Sequence, residues 1–278
     1  MRKRLHSFSN LRCRPDRRAG VWVLLLLAMV LTGNINSQSA ANYAYTTSTT
    51  GSLLLDKDGN TVDMSTGTTQ LYGAGVDTYT ATLQNLGFTY IFMGVPYTQF
   101  SANPDGQIQF GSTLITGHTQ SAALSTAKIL ALNTDNKTGA TGKVHYKVQA
   151  GTGGQVLIIE WKDILINWSA TGTTLSSYQL RLYEASGAIE MVYGQMWNSS
   201  TSAQTSSIGF SSSNTAGTVG QLTTINVTPT FNSSSTSYIT TSFTASAAMT
   251  NLNSAADGSR TVFTFSPPAS APVAPTNL

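Results

Sequence analysis

Beyond its first 37 residues the chain carries two histidines, His118 and His145, and no cysteine, because Cys13 lies upstream. Nucleophilic hydrolysis needs a base beside the nucleophile and a third group to orient that base. His118 sits in the polar string Thr116-Gly117-His118-Thr119, and His145 on an alternating segment. Neither falls in a Gly-x-Ser-x-Gly elbow or a His-Glu-x-x-His pattern, so they are expected as a loop histidine and a strand-surface histidine. Glycoside hydrolysis needs two carboxylates across a cleft. Glu160, Glu184 and Glu190 fall on neighbouring strand-like segments, but the Glu-x-Asp-x-Glu strand of sandwich-fold glucanases is missing. These acids are expected on solvent faces or paired with Lys162 and Arg181. No catalytic residue is assigned.

Binding chemistry has more candidates. Asp56, Asp58, Asn60 and Asp63 are hard oxygen donors of the kind calcium prefers. Against a calcium loop, Gly59 falls at the fourth place instead of the sixth, and no Glu closes the segment. Asp58-Gly59-Asn60 between Leu53-Leu54-Leu55 and Val62 is also hairpin chemistry, and the turn is the favoured reading. No cofactor is expected, with calcium as the alternative. Trp161, Trp168 and Trp197, with Tyr183 and Tyr193, could form a platform on which sugar rings stack, with Asn or Asp bonding the hydroxyls. A sandwich core needs the same residues. Trp161 is expected in the core. Trp197, in Gln195-Met196-Trp197-Asn198-Ser199, reads as a loop residue and the better exposed candidate, so Trp197, Trp168 and Tyr183 are the candidate ligand contacts.

The elements that must position these residues are strands. No stretch after the leader keeps a helical period beyond two turns, whereas period-two alternation recurs between Gly, Asn and Asp. Phe88, Tyr90 and Phe92 point to one side. Residues 97–101 and 107–110 flank Asn103-Pro104-Asp105-Gly106, which has strong turn chemistry. Residues 143–148 alternate, 156–161 read as a buried strand and 164–168 as another. Segments 178–183 and 188–193 surround Ala185-Ser186-Gly187, a tight hairpin. Ser- and Thr-rich strands are expected within 206–249, a closing strand at 261–265, and a short helical turn near 121–127. Many short strands with regular turn signals specify an all-β, antiparallel two-sheet sandwich of the jelly-roll or lectin-like kind.

The N-terminus bears on compartment. Seven bases and one acid in residues 1–37 precede or flank the apolar run 21–31, and small residues 37–41 follow. That pattern is a secretory signal peptide, and the run falls well short of the roughly 20 residues a span needs. Cleavage is expected between Ser37 and Ala41. Of 15 basic and 12 acidic residues, 8 and 11 remain after the leader, a balance of −3. The basic character leaves with the leader, so nucleic acid and anionic membranes are not expected partners. The expected organisation is a signal peptide at 1–37, a sandwich domain at 38–266 and a Pro-rich linker at 267–278.

Four strings resemble a known module in order and spacing: Tyr97-Thr98-Gln99-Phe100-Ser101, the hairpin to Phe110-Gly111, Leu157-Ile158-Ile159-Glu160-Trp161-Lys162, and residues 182–194. The chain thereby resembles a β-sandwich module of large secreted surface proteins of gliding bacteria, distantly similar to the extracellular nidogen-like domain. The resemblance implies fibronectin type III repeats downstream, whose opening Ala274-Pro275-Thr276-Asn277-Leu278 resembles, and a type IX secretion sorting domain. It covers residues 51–210. Related modules often carry an apolar-Pro-Phe-Trp-Asp-Asp type segment where this chain has Ile129-Leu130-Ala131-Leu132-Asn133-Thr134-Asp135, and no catalytic residue carries over.

The favoured function is a non-catalytic module of a larger protein, secreted or at the outer cell surface, serving adhesion to a cell-surface partner or extracellular polymer. The second reading is a carbohydrate-binding module, calcium-assisted or not. A secreted hydrolase comes third.

Overall fold

The repeated alternation of apolar and polar residues produces strands almost throughout. The structure, a computed structural model, describes residues 43–118, 127–210, 222–224, 230–232, 240–252 and 261–268. The leader with Cys13, most of the helical turn expected at 121–127 and the chain after residue 268 lie outside the described residues. The chain divides into two units, Met1–Asn36 and Ser37–Leu278, and every described residue belongs to the second.

In chain order the first strands are β1 (Ala44–Ser48), β2 (Thr69–Tyr72), β3 (Gln84–Phe92), β4 (Val95–Ala102), β5 (Gln107–Phe110) and β6 (Lys128–Asn133). The long central ones are β7 (Lys137–Gly151), β8 (Gly154–Leu165), β9 (Ser176–Tyr183) and β10 (Ile189–Tyr193). Then come β11 (Trp197–Asn198), β12 (Gln204–Phe210), β13 (Leu222–Thr224), β14 (Thr230–Asn232), β15 (Thr240–Phe243), β16 (Ala247–Ala248) and β17 (Val262–Ser266). One sheet runs β1-β17-β10-β9-β8-β7-β2; the other runs β14-β13-β12-β6-β5-β4-β3, with β15 also on β12. The pairings are antiparallel, and a two-stranded ribbon joins β11 to β16. The architecture is an open two-sheet antiparallel sandwich.

The inner faces follow the period of two. Leu86, Phe88, Tyr90 and Phe92 of β3 are buried while the residues between them are more exposed. From the opposite sheet come Leu157, Ile159 and Trp161 of β8, Tyr178, Leu180 and Leu182 of β9, and Phe263 and Phe265 of β17. Trp161 stacks on Tyr178 with centroids 5.1 Å apart and 10° between planes, and its Nε1 donates to Asn103 O at 2.8 Å. The β9–β10 hairpin turns at Ala185-Ser186-Gly187, where Gly187 takes φ +66.

Four readings of the sequence are corrected. Residues 156–168 do not make two strands; β8 is continuous to Leu165, with a register shift after Trp161 and Asp163 at φ +54. His145 is not on the surface: it is fully buried, between Glu160 of β8 and the register position of Gln70 on β2. Glu160 is buried as well, and pairs with His145 in place of Lys162. Trp197 belongs to β11 and is half-buried, not a free loop residue.

Candidate functional site

The outer face of the seven-stranded sheet carries polar residues in consecutive register. His145 faces Glu160, Glu160 faces Gln179, and one step along Arg181 faces Glu190. His145 Nε2 and Glu160 Oε2 lie 2.7 Å apart. Gln179 Nε2 donates to Glu160 Oε1 at 2.7 Å, and Arg181 Nε donates to Gln179 Oε1 at 3.0 Å. Arg181 Nη1 reaches Glu190 Oε2 at 3.1 Å, and the same oxygen accepts the Tyr183 hydroxyl at 2.6 Å. Burial pushes the Glu160 carboxyl up, but the hydrogen bonds from His145 and Gln179 outweigh it and leave the group below its ordinary value. Glu190 and Tyr183 have the opposite relationship: burial first, then the Glu190 charge, holds the phenol far above its usual range.

This polar row is covered by a flap, residues 51–66, that it holds by its carbonyls. Arg181 donates to Leu55 O and Ser52 O, both at 2.7 Å, and Gln179 to Leu53 O at 3.2 Å. Lys147 Nζ donates to Asp63 O and Thr66 O, and Gln149 Nε2 to Thr61 O. Val62 and Met64 of the flap pack on Val156, Ile158, Tyr183 and Ala188, a second small core. The flap is itself a hairpin: Asp56 N donates to Asn60 O at 2.9 Å and Gly59 N to Asp56 O at 3.0 Å. Gly59 sits at φ +82, the left-handed position this turn requires of glycine.

Within these turns the acidic side chains bond to neighbouring groups. Asp56 Oδ1 accepts from Asp58 N and Asn60 N, and Oδ2 from Asn60 Nδ2. Asp58 pairs with Lys57 at 2.8 Å. Asp63 caps a separate turn, where Ser65 and Thr66 hold its carboxyl down to about 2. Among the described residues no three His, Cys, Asp or Glu side chains are grouped to hold a metal.

Beside the flap lies a groove of about 400 Å³. Glu190 and Thr264 belong to its sheet side, Ser52, Leu55 and Lys57 to its flap side, and Ser48 and Thr50 to the entering chain. The Lys57 ammonium stands 4.5 Å from the Tyr183 ring centre.

The candidate aromatic contacts are separated. Tyr183 is buried under the flap, and Tyr193 and Trp161 are in the core. Trp197 is tied to the far end of β9, where its N–H donates to Ser176 Oγ at 2.9 Å. Seven residues of strand at roughly 3.3 Å each put about 23 Å between Ser176 and Tyr183. Trp168 shares the Trp197 end, since Ser199 Oγ donates to Thr174 O and joins the β8–β9 loop to the segment after β11. Trp168 is 52% exposed. Its turn is braced: Ser169 N donates to Asn167 Oδ1 at 2.8 Å, and Asn167 Nδ2 to Gln204 Oε1 at 2.8 Å.

A further polar centre escaped the reading of the sequence. The β4–β5 turn, Asn103 to Gly106, points inward and is buried throughout. Asp105, 2% exposed, accepts from Asn103 Nδ2 and Asn136 N. Burial, with Asp135 and Asp77 adding like charge, pushes its carboxyl up to about 8. The string Asn-Pro-Asp-Gly announces a turn, but nothing in it says on which side the turn lies. His118, by contrast, is partly exposed in its loop, 3.9 Å from Asp135.

Residues 35–267 match the family model described as NIDO related. Neither the curated proteins nor the solved structures contain a match to the chain.

Proposed function

Since the chain belongs to the NIDO-related family, we propose that it is a non-catalytic extracellular interaction module, engaging a cell-surface partner or extracellular polymer through the flap-and-groove face. The observation that carries this reading is the preorganised Glu190 carboxylate beside an open groove, fixed by Arg181 and Tyr183 on a rigid sheet. Recognition groups held by packed neighbours on strands lose little freedom on binding. Of the two carboxylates of the groove, Asp56 is bonded through both oxygens within its own turn and Glu190 through one oxygen to Arg181 and Tyr183, which supports binding over hydrolysis. No helix among the described residues is long and apolar enough to cross a membrane. The basic leader supports export by a signal peptide, and the Pro-rich tail supports a linker towards fibronectin type III repeats in a larger surface protein. The test is saturable binding of the purified, labelled chain to intact cells and to extracellular polymers, with the bound polymer recovered unchanged. Non-saturable adsorption, or shortening of the polymer, would overturn the proposal.

One observation favours a second reading, carbohydrate binding: the braced, exposed Trp168 beside the Asn167 and Gln204 amides. Screening the chain against a glycan array tests it, and an array without hits removes it.

A further inference from the structure

From the geometry of the groove, and resting on the interaction-module reading, we infer that its ligand is a basic side chain, the alkylammonium of lysine or the guanidinium of arginine, presented by a partner protein. Glu190 is 3% exposed. Its Oε2 takes two hydrogen bonds, whereas its Oε1 takes none from any described residue. That oxygen is not sealed from solvent, so it is an acceptor open to a donor arriving in the groove. The protein's own cations cannot supply it. Arg181 spends all five N–H donors on Gln179, Leu55, Glu190 and Ser52. Lys57 is held by Asp58 and by the Tyr183 ring.

The walls suit a long side chain with a charged head. Leu55 and Val262 offer apolar surface for a methylene stem. Ser48, Thr50 and Thr264 are among the lining residues, and Thr264 is the direct cross-strand neighbour of Glu190. An anionic ligand would meet Glu190 with no uncommitted cation to receive it. A sugar would find no exposed aromatic face here, since Tyr183 is covered by Lys57. The charge of the residues after the leader, 8 basic against 11 acidic, adds a weak attraction for a basic partner.

The experiment is a titration of the purified chain, followed by NMR, with N-acetyl-lysine methylamide and with N-acetyl-arginine methylamide. The uncharged N-acetyl-norleucine methylamide, which has a similar stem, is the control. Saturable shifts at Thr264, Val262 and Ser52 are expected, at least tenfold tighter for one of the basic probes than for norleucine. The two basic arms decide between ammonium and guanidinium. Thr264→Lys, which sets an ammonium beside Glu190 without touching the Arg181–Glu190–Tyr183 bonds, should abolish probe binding. Thr50→Trp, on the exposed rim, should abolish it by bulk. Equal binding of norleucine, or binding unchanged in both variants, would overturn the inference. Cell binding without probe binding sinks this inference alone, whereas probe binding without any macromolecular partner sinks the module reading and leaves the groove's chemistry standing.

Discussion

Arg181 and Glu190 face each other across adjacent strands as a buried ion pair, 3.1 Å apart, and the arginine also grips two carbonyls of the flap. One guanidinium therefore fixes both walls of the groove. Breaking such a pair leaves the other charge stranded away from water, which typically costs about 3–5 kcal/mol. Arg181→Met should lower the melting midpoint by about 10 °C, at roughly 2–4 °C per kcal/mol for a domain of this size. It should also raise amide exchange across residues 51–60. The double variant Arg181→Met with Glu190→Leu should recover most of the loss. A melting curve for Arg181→Met that matches the wild type would remove the arginine from this role.

Asp105 links stability to pH. Its carboxyl titrates at about 8 in the fold, against 3.8 in the open chain. Between those values the folded state binds more protons than the unfolded one, so stability falls as pH rises. The contribution is complete below about pH 4 and is lost as pH climbs through about 8, on the order of 5 kcal/mol at the extreme. Asp105→Asn keeps an oxygen for Asn136 N and removes the titration. The variant should therefore be the more stable protein at pH 8–9, with its advantage shrinking toward pH 5. Denaturant melts of both proteins at pH 5, 7 and 9 measure this, and a difference independent of pH would refute it.

The local chemistry of this fold was legible in the chain, and its distant consequences were not. The alternation of Phe88, Tyr90 and Phe92 names the inner face of β3 because the pleat has a fixed period. Asp56 to Gly59 reads as a turn because the side chain, the amides it accepts and the glycine all lie within five residues. His145 was misplaced for the opposite reason. Its outward position on β7 is right, but its burial depends on partners distant in the chain, Gln70 of β2 on one side and Glu160 of β8 on the other. The inward fold of Asp105 depends similarly on Asn133, Asn136 and Trp161, which no short string brings together.

The flap turn is satisfied by its own amides, and its integrity should not depend on calcium. Melts with millimolar calcium and with excess chelator should give the same midpoint. A fall of several degrees on chelation would show an ion bound to the native state, since such binding raises stability by mass action.

Trp168 and Trp161 should separate binding from stability. Trp161→Ala removes a buried ring stacked on Tyr178 and should cost about 3–5 kcal/mol. Trp168→Ala, at an exposed turn, should leave the melting midpoint within about 2 °C, as surface substitutions usually do. If the glycan reading holds, Trp168→Ala weakens retention of the array hit by more than about tenfold, roughly 1.4 kcal/mol. Trp197→Ala, half-buried in the ribbon, should have the smaller effect on retention. Unchanged retention in Trp168→Ala would place any glycan elsewhere.

Binding of a partner by this NIDO-related domain through the proposed flap-and-groove face is measured by a binding isotherm on intact cells. Labelled wild-type chain and the Thr264→Lys variant are titrated in parallel, with unlabelled wild type as competitor. Expected are a saturable wild-type isotherm, full competition, and at least a tenfold weaker isotherm for a variant that melts like the wild type. Identical isotherms for the two proteins, or wild-type retention that never saturates, would contradict it.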